Sequence, residues 1–283
     1  MNILSVQSWV SYGHVGNAAA LFPLQRLGIE VWAVNTVQFS NHSGYGDWRG
    51  QVFTGEAIRD VLAGIEARGV LPACDGVLSG YLGDVGIGEA ILDAVTKIKA
   101  ANARALYCCD PVIGDLGSGV FVRPGIPEFM RERAVPAADV VTPNHFELEF
   151  LAGRAVRDAA DLKAAVAAVH ALGPRAILVT SLRLDDTPDD GIDLVASDTE
   201  SLHRLRTPLL PIQANGAGDA IAALFFAHLL RTGSAAGALA MAGAAIFGLL
   251  RRTAEAGARE LLVVAAQDEF VSPSAKFPVE RLA

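Results

Sequence analysis

The stretch Ile3-Leu4-Ser5-Val6-Gln7 reads as a short buried strand, and it begins the pattern that decides the fold. A helical pattern over residues 17–27 follows it, and residues 30–37 read as a second strand. Short apolar strands that are each followed by a helix are typical of a mostly parallel sheet with helices on both faces. The stretch therefore predicts an α/β fold with three layers.

The same alternation continues outward along the rest of the chain. Further strands are predicted at residues 76–79, 105–109, 139–141, 176–180, 193–196, 201–205 and 260–265. Helices are predicted between them at residues 56–68, 87–101, 127–133, 146–151 and 161–172. Because no stretch reads as a linker, we expect one α/β/α domain over residues 1–283.

Composition favours a small-molecule ligand. The 283 residues are 52% hydrophobic, which is enough for one extensive core, and the net charge is −8. An acidic chain lacks the basic face that nucleic acid or an anionic membrane would require. Cys74, Cys108 and Cys109 give neither a disulfide framework nor paired zinc spacing, and the first residues do not resemble a signal peptide. We therefore expect a cytoplasmic protein with reduced thiols, no nucleic-acid partner and no membrane partner.

One segment complicates the membrane prediction. Residues 232–250 carry no charge and are followed by Arg251-Arg252, so a membrane-spanning helix is an alternative. The segment is mostly alanine and glycine, which contribute little transfer energy. A buried, closely packed helix is the favoured interpretation.

The stretch Asn215-Gly216-Ala217-Gly218-Asp219-Ala220 is the main candidate for chemistry. Its glycines allow the backbone N–H groups of residues 216–218 to turn towards one point, and the apolar run that follows supplies a helix whose positive end faces there too. This arrangement suits a phosphate. A carboxylate beside bound phosphate can remove a proton from a hydroxyl nucleophile, which is the role considered for Asp219. The alternative is an ordinary helix start with the aspartate as a cap.

Ligands of open α/β sheets gather beyond the carboxyl ends of the strands, and polar loops follow several predicted strands here. The first runs from Ser8 to Asn17 and the second from Asn35 to Gly46. Asn17 as a simple helix cap would also explain the first loop. Asp110 ends a buried strand and is placed to hold a cation, although turn chemistry explains Asp-Pro equally well. Glu147 either favours the start of its helix electrostatically or orients Mg²⁺ through water.

Taken together, these loops resemble one known family. The matching residues are Val6-Gln7-Ser8, Tyr12-Gly13-His14-Val15-Gly16-Asn17, Asn35-Thr36-Val37-Gln38-Phe39-Ser40-Asn41-His42, Leu78-Ser79-Gly80-Tyr81-Leu82-Gly83, Asp110-Pro111-Val112, Thr142-Pro143-Asn144 with Glu147, and the glycine stretch. Over nearly its whole length the chain resembles the pyridoxal kinases of the ribokinase-like superfamily, specifically the bacterial pyridoxal/pyridoxamine kinase type. The resemblance implies the ribokinase-like three-layer α/β/α sandwich with a mostly parallel central sheet.

The resemblance also implies a reaction and its residues. ATP would give its γ-phosphoryl group to the 5′-hydroxyl of pyridoxal, forming pyridoxal 5′-phosphate in vitamin B6 salvage. Asp219 would be the base, with Gly216, Ala217 and Gly218 holding the phosphoryl group, and Asp219 would also contact the substrate. Substrate would further contact Ser8, Ser43 and Gly44; the nucleotide would contact Asp110, Thr142, Glu147, Thr180, Thr207, Pro208, Leu209 and Leu210. Mg²⁺ would be held by Asp110 and Glu147, and a homodimer is expected. A requirement for a monovalent cation such as K⁺ is left open.

Two departures from the family pattern keep other functions open. Ala217 stands where relatives commonly have threonine or valine, and residues 209–215 form a shorter segment than in the bacterial type. One alternative is a hydroxymethylpyrimidine or sugar kinase of the same fold. Another is a non-catalytic vitamin B6 binding protein. A dinucleotide dehydrogenase is disfavoured because no Gly-Xaa-Gly-Xaa-Xaa-Gly follows the first strand.

Overall fold

The computed structural model describes residues 1–282. Within them, ten strands form one sheet and two more form a separate hairpin. In chain order the strands are β1 (Asn2–Val10), β2 (Glu30–Phe39), β3 (Gly50–Val52), β4 (Gly76–Ser79), β5 (Leu106–Cys109), β6 (Gly114–Asp115), β7 (Gly119–Val120), β8 (Val140–Val141), β9 (Ala176–Leu182), β10 (Gly191–Asp198), β11 (Leu202–Pro208) and β12 (Val279–Leu282).

The centre of the large sheet is parallel, as the sequence pattern predicts. Its strand order is β12-β11-β10-β9-β8-β5-β4-β1-β2-β3. All neighbours from β9 through β8, β5, β4 and β1 to β2 pair in parallel. Antiparallel pairs occur at both edges, where β3 joins β2 and where β10, β11 and β12 follow β9. The parallel centre brings the carboxyl ends of its strands to one edge.

Helices cover both faces of the sheet. They are α1 (Asn17–Arg26), α2 (Gly55–Glu66), α3 (Val85–Ala101), α4 (Ile126–Phe129), α5 (Val135–Ala137), α6 (His145–Ala152), α7 (Ala159–Leu172), α8 (Ala217–Thr232), α9 (Ala235–Glu255) and α10 (Asp268–Val271). Side chains of α1, α8 and α9 share one hydrophobic cluster with the sheet, while those of α2, α3, α6 and α7 share the other. Since successive strand residues point to opposite faces, Ile3 belongs to the first cluster and Leu4 to the second. The three-layer prediction is therefore confirmed.

The apolar segment with membrane-like composition lies mostly in α9. Among the described residues, α9 is the helix that is long and apolar enough to span a bilayer, with a mean hydropathy of 1.3. Of its most apolar window, 61% is buried inside the protein. The helix packs along α8 and against β10 and β11. Its apolar surface is thus largely used in the protein core, as the favoured interpretation expects.

The strand predicted at residues 260–265 is wrong. This segment is irregular, and the last strand is instead β12, which pairs with β11. Leu261 and Val263 are buried against the helical layer, so their alternation reflects helix packing and not a pleated strand. The backbone N–H of Leu262 donates to the Thr253 hydroxyl of α9 at 3.1 Å, which replaces a strand partner.

The first polar loop also differs from its simplest interpretation. β1 continues to Val10, so Ser8 lies within the strand. Asn17 is not the cap of α1: Gly16 precedes the helix and no side chain caps it. The buried Asn17 amide instead donates to the Val34 carbonyl at 3.0 Å and accepts from the Ser5 hydroxyl at 2.7 Å. This network joins β1, β2 and the start of α1 below the loop. All three cysteines are free and buried, as expected.

Candidate active site

The start of α8 forms an uncapped backbone turn against the first loop. Gly216 has a left-handed backbone with φ 88°, and no side chain caps the helix there. A side chain at position 216 would overlap the carbonyl oxygen of His14, so the turn depends on glycine. The alternative in which Asp219 caps the helix is therefore wrong. The N–H groups of the first turn are left without a side-chain partner, which is the arrangement that binds anions.

Asp219 lies within the first turn of α8 and is partly exposed. Burial raises its pKa to about 6, while hydrogen bonds from backbone N–H groups, first that of Gly16, oppose the rise. Gly16 itself sits close to Ser8, because a side chain at position 16 would overlap the Ser8 backbone and hydroxyl. The fold thus brings Ser8, Gly16 and Asp219 together. A carboxylate with a pKa near neutrality is suited to accept a proton.

Two more carboxylates lie deeper: Asp110 directly follows β5, and Glu147 lies in the first turn of α6. Asp110 is 6% exposed and Glu147 is 3% exposed. Burial raises the pKa of Asp110 well above its usual range, and the nearby charges of Glu147 and Asp219 raise it further. The Thr142 hydroxyl donates to the Asp110 carboxylate at 3.0 Å. Burial likewise raises the pKa of Glu147 to about 7. Such a cluster of negative charge favours a cation.

Glu147 is also held firmly by backbone groups. Its oxygens accept from the backbone N–H of Ile113 at 2.9 Å and of Asn144 at 2.9 Å. The Asn144 side chain accepts from the Glu147 N–H in return, which completes a capping box at the start of α6. Asn144 is therefore the N-cap of α6. Because these oxygens are engaged, Asp110 is the freer of the two carboxylates.

Among residues 1–282, no group of three or more histidine, cysteine or acidic side chains is arranged to hold a metal ion. Mg²⁺ does not need such a group, since it is commonly bound by one or two carboxylates together with water and substrate phosphates. Asp110 and Glu147 match that requirement in number and type. The donor set therefore fits Mg²⁺.

A cleft of about 210 Å³ opens between β9, β10, β11, the start of α8 and the C-terminal half of α9. Apart from Asp110, Thr142 and Glu147, all the residues that the resemblance assigned to the nucleotide line this cleft. Its lining includes Thr180, Thr207, Pro208, Leu209, Leu210, Ala217 and Gly218. Apolar side chains such as Phe247 and Ile246 complete one wall. The cleft ends at the same uncapped turn that begins α8.

Ser181 also lines this cleft, although the resemblance assigned it no role. Ser181 has φ 52°, the one positive value outside glycine in the described chain. It lies where the β9–β10 register shifts, and it lines the cleft beside Thr180. A strained backbone at a ligand cleft is common. No local sequence signal marks it, because serine seldom adopts this conformation.

The second polar loop follows β2, which lies across the sheet from the strands β9, β10 and β11 that line the cleft. Ser43 and Gly44 are exposed and belong to a single helical turn, Ser43–Tyr45, that the His42 side chain caps. A side chain at Gly44 would lie 3.8 Å from the Asn215 amide, so the loop reaches the glycine stretch. Ser43 and Gly44 therefore lie on the opposite side of the turn from the cleft that holds Thr180.

Known proteins match this chain along its length. The family model described as phosphomethylpyrimidine kinase matches residues 72–263. A protein named pyridoxal kinase PdxY from Granulibacter bethesdensis is 61% identical, with 98% of each chain covered. The chain belongs to the pyridoxal kinase family. Pyridoxal kinase PdxY of Rubrobacter xylanophilus is 58% identical over 100% of this chain and 98% of its own.

A solved structure extends the same match to the fold of this pyridoxal kinase family member. Pyridoxal kinase from Leishmania donovani, in complex with ADP and pyridoxamine, superposes with a TM-score of 0.91 and 32% identity. The match covers 100% of this chain and 99% of the other. The α/β fold is therefore that of the ribokinase-like pyridoxal kinases, as the resemblance implied.

Proposed function

We propose that this protein is an ATP-dependent pyridoxal kinase that phosphorylates the 5′-hydroxyl of pyridoxal, with the whole chain forming one kinase domain. The observation that carries the proposal is the position of Asp219. It stands at an uncapped helix start between the cleft and the two polar loops. Relatives named pyridoxal kinase, and a related kinase structure that holds ADP with a vitamin B6 form, support the same conclusion.

In the proposed reaction Asp219 accepts the proton of the 5′-hydroxyl. The hydroxyl oxygen then bonds to the γ-phosphorus of ATP as the bond to the bridging oxygen breaks, which releases ADP. The migrating phosphoryl group accepts hydrogen bonds from the backbone N–H groups of Gly216, Ala217 and Gly218, which stabilise its negative charge. Because these contacts use backbone atoms, Ala217 serves as well as the threonine or valine of relatives.

The remaining proposed roles follow from the two sides of the site. Asp110 and Glu147 would hold Mg²⁺, which neutralises phosphate charge when it is bound. Thr142 orients Asp110 through its hydrogen bond. Thr180 and residues 207–210 line the cleft proposed for the nucleotide. Ser8, Ser43 and Gly44 lie on the side proposed for the vitamer.

An ATP-coupled assay with several acceptors tests the function. We expect ADP production with pyridoxal, pyridoxine or pyridoxamine, and a kcat/KM at least tenfold lower with hydroxymethylpyrimidine or ribose. Equal or better turnover of those two acceptors would favour the alternative kinase. Pyridoxal binding without any ADP production would instead support a vitamin B6 carrier.

Three accompanying proposals concern ions, assembly and location. Activity should require Mg²⁺, and assays in potassium and sodium salts would reveal a monovalent-cation requirement. A homodimer is proposed, which light scattering after size-exclusion chromatography would measure. A cytoplasmic location is also proposed, and fractionation of cells that produce the protein would test it.

A further inference from the structure

The irregular segment that replaces the mispredicted last strand reaches the vitamer side of the site. Its first residues, Arg259 and Glu260, follow α9 and lie against both polar loops. Neither residue belongs to the resemblance, and neither touches the nucleotide cleft. Their contacts are nevertheless among the most specific on this side of the molecule.

Each oxygen of the Glu260 carboxylate serves a different loop. One accepts a hydrogen bond of 2.5 Å from the Tyr45 hydroxyl, and the other accepts one of 3.3 Å from the His14 backbone N–H. A side chain at Gly13 would overlap this carboxylate, so glycine is needed for the close approach. The hydrogen bond raises the pKa of Tyr45 to about 12, as expected for a phenol that donates to a carboxylate.

Aromatic contacts reinforce the junction. The Arg259 guanidinium lies 3.6 Å from the centre of the Tyr45 ring, within the range of a cation–π interaction. The Tyr12 ring meets the Tyr45 ring edge-on at 6.0 Å. Tyr45 is thus held by the hydrogen bond of its hydroxyl, by the Arg259 guanidinium over its ring and by the edge-on contact with Tyr12.

Fixing Tyr45 also fixes the residues beside it. Tyr45 closes the single turn that contains Ser43 and Gly44, and Gly44 approaches Asn215 next to the glycine stretch. On the other loop, the carbonyl of His14 touches Gly216. One carboxylate therefore ties both loops to the turn that carries Asp219.

We propose that Glu260 is a positioning residue that holds the loop of Ser43 and Gly44 in its vitamer-binding place through the Tyr45 hydroxyl. The inference rests on the proposed function. It makes the end of the chain part of vitamer recognition. Loss of the Glu260–Tyr45 hydrogen bond should weaken vitamer binding and leave the nucleotide side unchanged.

The test is a double-mutant cycle with Glu260→Gln and Tyr45→Phe. The glutamine keeps the size of the side chain, but its NH₂ group replaces one of the two accepting oxygens, so the hydrogen bond from Tyr45 or from the His14 N–H is lost and the other loses its charge. Each single variant should raise the KM for pyridoxal about tenfold, the factor for one charge-assisted hydrogen bond, with kcat and the KM for ATP within about twofold of wild type. The KM for pyridoxal of the double variant should be no higher than the higher of the two single-variant values, because both substitutions remove the same interaction.

Glu269→Gln is the matched control. Glu269 is a second carboxylate after α9, in α10, but it accepts from Ser274 at 2.7 Å, away from both loops. Its loss should lower the melting temperature without changing the KM for pyridoxal. Should Glu260→Gln fail to fold, Tyr45→Phe, which removes one hydroxyl from a partly exposed ring, still tests the bond.

Three results would overturn the inference: an unchanged KM for pyridoxal in Tyr45→Phe, independent effects that multiply in the double variant, or an equal rise in the KM for ATP. Failure of the proposed function gives a different result, since the wild-type protein would then phosphorylate no vitamer. The ratio of variant to wild type decides the inference only after wild-type turnover is seen.

Discussion

The side of the site proposed for the nucleotide and the side proposed for the vitamer are built in different ways. Thr142, Thr180 and Thr207 are all buried at the ends of strands. Glu147 is fixed by a capping box with Asn144, three positions earlier in the chain. Ser43 and Gly44 are instead exposed, and the Tyr45 beside them is held by Glu260, 215 positions away. One side is thus formed by regular elements, and the other by loops that depend on distant residues as well as on the local cap from His42. We expect the first to be rigid and the second to set acceptor preference.

Removing the carboxylate between the two sides should have the largest effect. Asp219→Ala should lower kcat by about 10²–10⁴-fold, because it removes the proposed general base. Both KM values should stay within a few-fold of wild type, since Asp219 belongs to neither binding side alone. Steady-state kinetics with ATP and pyridoxal measure all three quantities. Near-normal turnover would remove Asp219 from the mechanism.

Substitution at the contact between the first loop and α8 should disturb both sides at once. Gly216→Ala should cost about 1–3 kcal/mol of stability, because alanine is strained at φ 88° and would meet the His14 carbonyl. Thermal melting measures the loss, and both KM values should rise with it.

Gly218→Ala is the control for that prediction. A methyl group at position 218 meets no atom within 4 Å, and the backbone there is not left-handed. Its melting temperature should match that of wild type. If Gly216→Ala and Gly218→Ala had the same melting temperature, the close approach of His14 to Gly216 would not restrict the residue at position 216.

Asp110→Asn should affect the nucleotide side alone, and its effect on stability should depend on pH. Because the pKa of Asp110 is raised in the folded protein, folding is favoured at low pH and this contribution is lost as pH rises through the folded value. The neutral asparagine avoids the cost of a buried charge. Without Mg²⁺ or ATP, the variant should therefore have a higher melting temperature than wild type at pH 8, by roughly 2–4 °C for each kcal/mol of stability gained. Below pH 4, the two proteins should have similar melting temperatures.

The same variant should bind Mg²⁺ and ATP more weakly, with a KM for MgATP raised about tenfold or more and an unchanged KM for pyridoxal. The opposite change in stability, a lower melting point at pH 8, would show that the Thr142 hydrogen bond outweighs the buried charge.

The smallest effect is expected from Leu209→Ala. Leu209 lines the cleft but is 41% exposed, so its truncation removes only part of one apolar wall. The KM for ATP should rise about two- to fivefold, with no change for pyridoxal, as expected for a few lost methyl groups. A change in the pyridoxal KM would mean that the two sides are not separate.

Much of the nucleotide side was predictable from sequence because its signals are local. Alternating strands and helices predict the sheet, and the order of a strand, Asn144 and Glu147 predicts a helix start. The turn at residues 216–219 likewise carries its own glycines. These features depend on neighbours in the chain, and the structure places them as the pattern indicates.

The vitamer side was less predictable because its contacts are distant. Residues 260–265 alternate like a strand, but their apolar members pack on helices and Glu260 points to loops near residues 14 and 45. Asn17 resembles a cap, yet its amide is used inside a buried network between two strands. Both errors arise because tertiary packing decides between local patterns that look alike.

The contact between His14 and Gly216 has a consequence for how the protein is made. The residues that meet there come from the first loop and from the last third of the chain, and Glu260 joins them from still later. A nascent chain that has emerged only as far as the parallel strands lacks the turn, the proposed base and the residue that fixes Tyr45. On the proposed mechanism, catalytic competence therefore requires synthesis to continue past Glu260.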